Sequence, residues 1–217
     1  MNTNTLKRLG IWMTVAAALG LMVWGLARLG AKPAAVTAGG TLQDPVTAND
    51  HAEGSVLAKN ILVEYSDFQC PACALYYPLV KQIASTYGGR LLIVYRYFPL
   101  ASIHQNADIS ARAAEAAARQ GKFWEMHNLL FERQKDWSGS SDPTNIFNGY
   151  AAELGLNKDQ FMADLNSAAV RARVRTDFES GERANVDATP TFYLNGKKLT
   201  NLQNYGDLEQ DIKDALK

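Results

Sequence analysis

The 217-residue chain holds only two cysteines and three histidines, and that scarcity excludes several chemistries at once. No second disulfide can form within it. Structural zinc needs four ligands, and His51, His104 and His127 are not spaced as partners for the cysteines, so no metal centre is expected. Haem attachment needs a histidine directly after the second cysteine, and residue 74 is alanine. An excess of one charge is also missing. The 22 basic residues balance the 22 acidic ones without a dense Lys/Arg block, which leaves a nucleic-acid backbone no electrostatic footprint to meet. There is no internal repeat, and no pattern calls for a cofactor.

What is present suits a packed core, with 47% hydrophobic and 20% charged residues, close to a globular average. The length fits one domain with appendages. Residues 1–8 form a short basic leader to an uncharged run from Leu9 to Ala27, flanked by Lys7, Arg8, Arg28 and Lys32. Nineteen helical residues span roughly 28 Å, near the ~30 Å of a bilayer core. Trp12 and Trp24 stand near its ends, where indoles favour the interface. Residues 9–27 are therefore expected to be a transmembrane anchor. The alternative is a secretory signal cleaved after Val36-Thr37-Ala38, although such apolar regions run about 7–15 residues. Either way the remainder is exported. Residues 28–53, small and without apolar periodicity, read as a flexible tether, with His51 inside it.

The folded domain is expected over residues 54–217. Ile61–Tyr65 is a β-branched apolar run that reads as a buried strand. Pro71 fits the first position of a helix, which makes Cys70 its N-cap. Leu75, Leu79, Ile83 and Tyr87 continue that helix to Gly88-Gly89, with Pro78 expected to kink it. Leu91–Tyr97 is a second strand, which completes a parallel strand–helix–strand unit. From about residue 104 to 185 the pattern is helical and Ala-rich, with breaks at Gly121, at 137–143 and at 155–157. Thr191–Leu194 and Lys197–Leu199 flank Asn195-Gly196 as a tight hairpin, and a last helix runs from about Gly206 to Leu216.

Cys70-Pro71-Ala72-Cys73 is where chemistry concentrates. A disulfide across so short a loop removes little unfolded-state entropy, so it makes a poor staple. At a helix N-terminus, unpaired N–H groups and the helix dipole favour a thiolate at Cys70. Cys73, one turn further in, would keep a more ordinary thiol and act as the resolving partner. An inert structural bridge is the competing reading.

The run Val63-Glu64-Tyr65-Ser66-Asp67-Phe68-Gln69-Cys70-Pro71-Ala72-Cys73 resembles the active-site strand and helix of the DsbA-like branch of the thioredoxin superfamily. Arg96–Leu100, His104–Ala107, Gly121–Trp124, Leu154–Leu156 and Ala188–Phe192 resemble stretches of the same family in the same order. The resemblance implies an α/β thioredoxin fold with an inserted helical subdomain. It also implies a cis-proline loop at Thr189-Pro190, facing Cys70 and pairing with extended substrates, and a buried acid at Glu64 that exchanges a proton with Cys73. Family members that oxidise strongly carry histidine between the cysteines, and Ala72 departs from them.

The implied function is thiol–disulfide exchange on exported cysteine-containing proteins, with dithiol oxidation leading and isomerase or reductase action as alternatives. A quinone-linked membrane oxidase is the implied source of reoxidation. The implied location is the cell membrane with the domain on the periplasmic side, or the periplasm itself after cleavage. A different class of function is a peptide-binding or chaperone module whose disulfide is only structural. His104 reads as a capping or packing residue, His127 as part of a helix face beside Phe123 and Phe131, and Tyr65, Phe68, Tyr76 and Tyr77 as core.

Overall fold

The computed structural model describes residues 40–200, 202 and 204–217. The expected span at 9–27 lies outside them, and among the described residues no helix is long and apolar enough to cross a membrane. Five strands form one sheet in the order β1-β3-β2-β4-β5. They are β1 (His51–Gly54), β2 (Asn60–Ser66), β3 (Leu91–Tyr97), β4 (Thr191–Leu194) and β5 (Lys197–Lys198). Between β2 and β3 runs α1 (Pro71–Tyr87), and β2 pairs parallel to β3 from Asn60↔Leu91 to Ser66↔Tyr97. Every residue of β3 is buried. A strand covered on both faces reads as an unbroken apolar run rather than an alternation, which is why its bounds were legible.

The helical insertion comprises α2 (Ala107–Ala118), α3 (Phe123–Glu132), α4 (Gln134–Trp137), α5 (Pro143–Glu153), α6 (Lys158–Leu165) and α7 (Ala168–Arg183). The chain then returns through β4 and β5 to α8 (Tyr205–Ala215). Asn195 and Gly196 adopt φ of 52° and 79°, the left-handed pair that a two-residue hairpin turn requires. Pro78 sits inside α1 without ending it.

Alternation along β2 sorts its side chains between two layers. Leu62 packs with Ile83 of α1 and with Leu208 and Ile212 of α8. Val63 and Tyr65 pack on the other face with Phe98, Ala184 and Tyr193. Glu64 therefore points to the α1 side. The insertion has its own core, built on Trp137, Phe147, Phe161 and the small alanines of α2, and it continues into Phe68, Cys73, Tyr95 and Tyr97.

The tether expected at 28–53 is corrected where it can be seen. Residues 40–53 are held in place by polar contacts and by Leu42 and Val46, which pack on the Val63 and Tyr65 face; two isolated apolar residues set no periodicity that could announce it. Thr41 bridges to Lys197. Arg96, 3% exposed, donates to Asp50 Oδ1 at 2.7 Å, to the carbonyls of Asp44 and Pro45, and to Tyr65 Oη. His51 belongs to β1, stacks on Phe123 at 3.7 Å between centroids and meets Glu115 Oε2 at 2.7 Å.

Candidate active site

β2 ends at Ser66, and the chain turns over Asp67-Phe68-Gln69 into Cys70, the N-cap of α1 with Pro71 at its first turn. Cys70 has extended backbone (φ −68°, ψ 123°), so its side chain stands at the helix mouth rather than on its flank. Both cysteines are free thiols. Cys70 is 7% exposed and Cys73 fully buried, so a reagent arriving from solvent meets Cys70 first.

The two sulfurs differ in acidity for identifiable reasons. The Cys73 side chain hydrogen-bonds Cys70 and, with the Thr189 contact and the backbone N–H groups of Ala72 and Cys73, lowers its pKa to about 5 against the opposing cost of burial. As a thiol, Cys70 Sγ donates to the carbonyl of Thr189 at 3.3 Å. Burial pushes Cys73 well up, and the neighbouring Cys70 and Glu64 push it further. Glu64 is 4% exposed, and burial raises its carboxyl to about 7. It lines a narrow cavity with Tyr77, Val80, Lys81, His127 and Phe131.

The structure thus gathers most of the residues singled out from sequence. Pro71 and Ala72 are exposed beside Cys70, Thr189 is buried with its carbonyl toward Cys70, and Pro190 follows through a cis peptide bond, half-buried. The aromatic assignments stand: Tyr65 and Phe68 are fully buried and Tyr76 packs on Phe192. His127 is buried in the helix face as read, its imidazole kept neutral by burial, which lowers its pKa to about 4.

Sequence reasoning missed the clamp on the Cys70 loop. Asp67 Oδ2 accepts from Leu100 N at 3.0 Å and lies 2.6 Å from His104 Nδ1, so His104 braces the loop rather than only capping or packing. Gln134 Nε2 donates to the carbonyls of Phe68 and Cys70 at 2.7 and 3.0 Å. Gln69 Oε1 accepts from Asn106 N at 2.6 Å. These bonds tie the loop to the insertion. A polar residue's partner 33 to 66 positions away leaves no mark on local pattern; only the family resemblance of the His104–Ala107 stretch hinted at it.

A Cys-x-x-Cys at a strand-to-helix junction, faced by a cis-proline loop on a sheet with a helical insertion, defines a thioredoxin-fold domain. The profile of the family described as Thioredoxin matches residues 46–214, and the chain belongs to that family. The solved structure of BdbD from Bacillus subtilis superposes with a TM-score of 0.71 at 21% identity, covering 82% of this chain and 98% of that one. Alpha-DsbA1 from Wolbachia pipientis gives 0.66 at 22% identity, covering 81% and 94%. At such identities the likeness is one of fold. Among curated proteins, the Na(+)/H(+) antiporter NhaA 1 of Mycolicibacterium vanbaalenii is 41% identical over 149 residues, which are 68% of this chain and 23% of that protein. The NhaA antiporter of Herminiimonas arsenicoxydans is 38% identical over 190 residues, 86% of this chain and 29% of its own length. This chain therefore spans less than a third of these curated relatives.

Proposed function

We propose that the chain is a thiol–disulfide oxidoreductase that oxidises cysteine pairs in exported proteins. The observation that carries this is the asymmetry of the two sulfurs: Cys70 stands at the mouth of α1, 7% exposed with its pKa lowered to about 5, over a fully buried Cys73 whose thiol is pushed well up. A stabilised thiolate favours the dithiol over the disulfide by about 1.4 kcal/mol per unit of lowered pKa, which makes the disulfide an oxidant. In the reaction a substrate thiolate attacks Cys70 of the Cys70–Cys73 disulfide, forming a mixed disulfide and releasing Cys73 as thiolate. Glu64, protonated near neutrality, supplies a proton to Cys73. A second substrate thiolate then attacks the substrate sulfur, leaving an oxidised substrate and a dithiol enzyme.

Backbone groups at Thr189-Pro190 hold the substrate extended by strand pairing. Pro71 and Ala72 line the approach, and the absence of a charged or histidine side chain at Ala72 argues for a milder oxidant. Reoxidation falls to a quinone-linked membrane partner, and residues 9–27 keep the domain on the periplasmic face of the cell membrane. Ion transport is not carried over from the antiporters, because so small a share of them corresponds to this chain.

Two experiments test the reading. Alkylation of Cys70 in the reduced parent chain, where Cys73 is fully buried, should follow a titration well below that of free cysteine, and the Cys73→Ala variant should trap exported proteins as mixed disulfides. An alkylation midpoint near 8.5 with no adducts would sink it.

A further inference from the structure

We infer that Glu64 exchanges its proton with solvent through a hydrated cleft between α1 and α3, with Ser66 and Tyr95 seating the innermost water and the mouth opening beside Lys81, well away from Cys70. The route rests on the proposed role of Glu64 as proton donor to Cys73. A buried donor needs resupply. Glu64 is 4% exposed, yet each turnover that protonates Cys73 leaves a carboxylate that must regain a proton from outside. The way out past Cys70 is the one that a bound substrate covers.

The cleft suits water better than it suits packing. It encloses about 70 Å³, whereas a single water needs ~10–15 Å³. The sheet contributes Glu64 and Ile93 to its lining, α1 contributes Tyr77 and Val80, and α3 contributes His127 and Phe131. Exposed Glu53 and Lys81 and half-buried Asn128 complete the lining and give it an outlet. A purely apolar cavity stays dry, but here carboxyl, phenol, imidazole and amide groups supply the several partners that a water requires.

Two hydroxyls mark the inner end. Ser66 shares the face of Glu64 on β2 by alternation, and Tyr95 stands opposite Glu64 in the β2–β3 pairing. Both residues are 1% exposed, and among the described residues neither hydroxyl has a hydrogen-bond partner of good geometry. They are nonetheless close enough for Ser66 to lower the pKa of Glu64 and of Tyr95 against the effect of burial. Buried hydroxyls left unpaired are costly, and an ordered water between misaligned groups is the usual remedy. Burial, then Glu64 and Cys73, hold the Tyr95 phenol well above its usual range, so it keeps its own proton.

Nothing else along the cleft captures the proton. His127 is kept neutral by burial, with Nδ1 3.1 Å from Asn128 Oδ1. Lys81 Nζ is held at the mouth by Glu132 at 2.9 Å and by Tyr77 Oη at 3.0 Å. Lys81 is the eleventh residue after Cys70, about 16 Å further along the helix at about 1.5 Å per residue, so a client seated at Cys70 leaves the mouth open. One proton passes inward for each Cys73 thiolate protonated: the Glu64 carboxylate takes it from cleft water, and that water takes it from solvent. Reoxidation of the pair runs it outward.

The test follows exchange of the Glu64 carboxyl hydrogen for deuterium by rapid-mixing infrared spectroscopy of the oxidised full chain at about pH 5, where the carboxyl is protonated. The band is assigned by its loss in Glu64→Gln. Tyr95→Phe removes a hydroxyl that seats the water and Val80→Phe fills the cleft, and each is expected to slow exchange about tenfold or more. Both should leave the alkylation titration of Cys70 in the reduced chain unmoved, and a bulky maleimide on Cys70 of the reduced parent should leave exchange as fast as before. Exchange at the parent rate in either variant, or slowing by the maleimide, would overturn the cleft and leave Glu64 as donor. Release of Cys73 at the parent rate in Glu64→Gln would overturn the donor role and the route with it. Should Val80→Phe fail to fold, Tyr95→Phe decides alone, since it takes away one buried oxygen and adds nothing.

Discussion

Burial leaves Glu64 with a carboxyl that ionises near pH 7 in the fold and near 4.5 when exposed, and the sign of its contribution follows. Between those values the folded chain binds the proton that the unfolded chain has lost, so stability falls as pH rises and levels off above about 7. Glu64→Gln should therefore gain roughly 2–3 kcal/mol over the parent at pH 8 and little at pH 4, read by urea unfolding of the oxidised form. A pH-independent difference would remove the buried-charge account. The same variant should slow release of Cys73 without moving the Cys70 titration. Cys70 works in the opposite sense. Its lowered pKa stabilises the dithiol fold most fully above the pKa of an unfolded thiol, and that contribution disappears as pH falls through about 5. Cys70 and Cys73 were legible from the strand-to-helix pattern around them, whereas Pro190 and Glu64 were legible only through the family resemblance. Their acidities were not, since these come from burial and from neighbours brought in by the fold.

Among the elements, α4 is only four residues long yet places Gln134 against the Cys70 loop. Gln134→Ala removes two bonds to loop carbonyls and should cost about 1–3 kcal/mol. It should also raise the Cys70 alkylation midpoint as the loop loosens; a midpoint unchanged by the substitution would show the clamp to be merely structural. Helix α7 makes a different demand. A Cβ at Gly181 would stand 2.5 Å from Phe98 Cδ2 and 3.1 Å from Tyr65 Cδ1. Phe98 is itself buried and stacked on Phe178, so Gly181→Ala should destabilise by about 1–3 kcal/mol in thermal unfolding. Helices of the insertion were readable as a group from their alanines and breaks. Their mutual order in space was not, since α2, α3, α5 and α6 share one core whose pairings depend on contacts distant in sequence.

For the molecule as a whole, the Arg96–Asp50 pair joins the N-terminal approach to the central sheet. Both side chains are about 95% buried, so Asp50→Ala strands a guanidinium and should cost about 3–5 kcal/mol, with residues 44–50 becoming sensitive to limited proteolysis. An intact segment in that variant would refute the clamp. Nothing in the small, polar run 40–50 advertised this role, and only the three-dimensional placement of Arg96 discloses it. The sheet's margins carry a last consequence. One border, β5, has two residues, both lysines, and the other, β1, has four, with its Ala52 carbonyl occupied by the Trp124 indole. Borders this abbreviated give an incoming extended segment little ladder to zip onto. Aggregation by border-to-border growth is thereby discouraged.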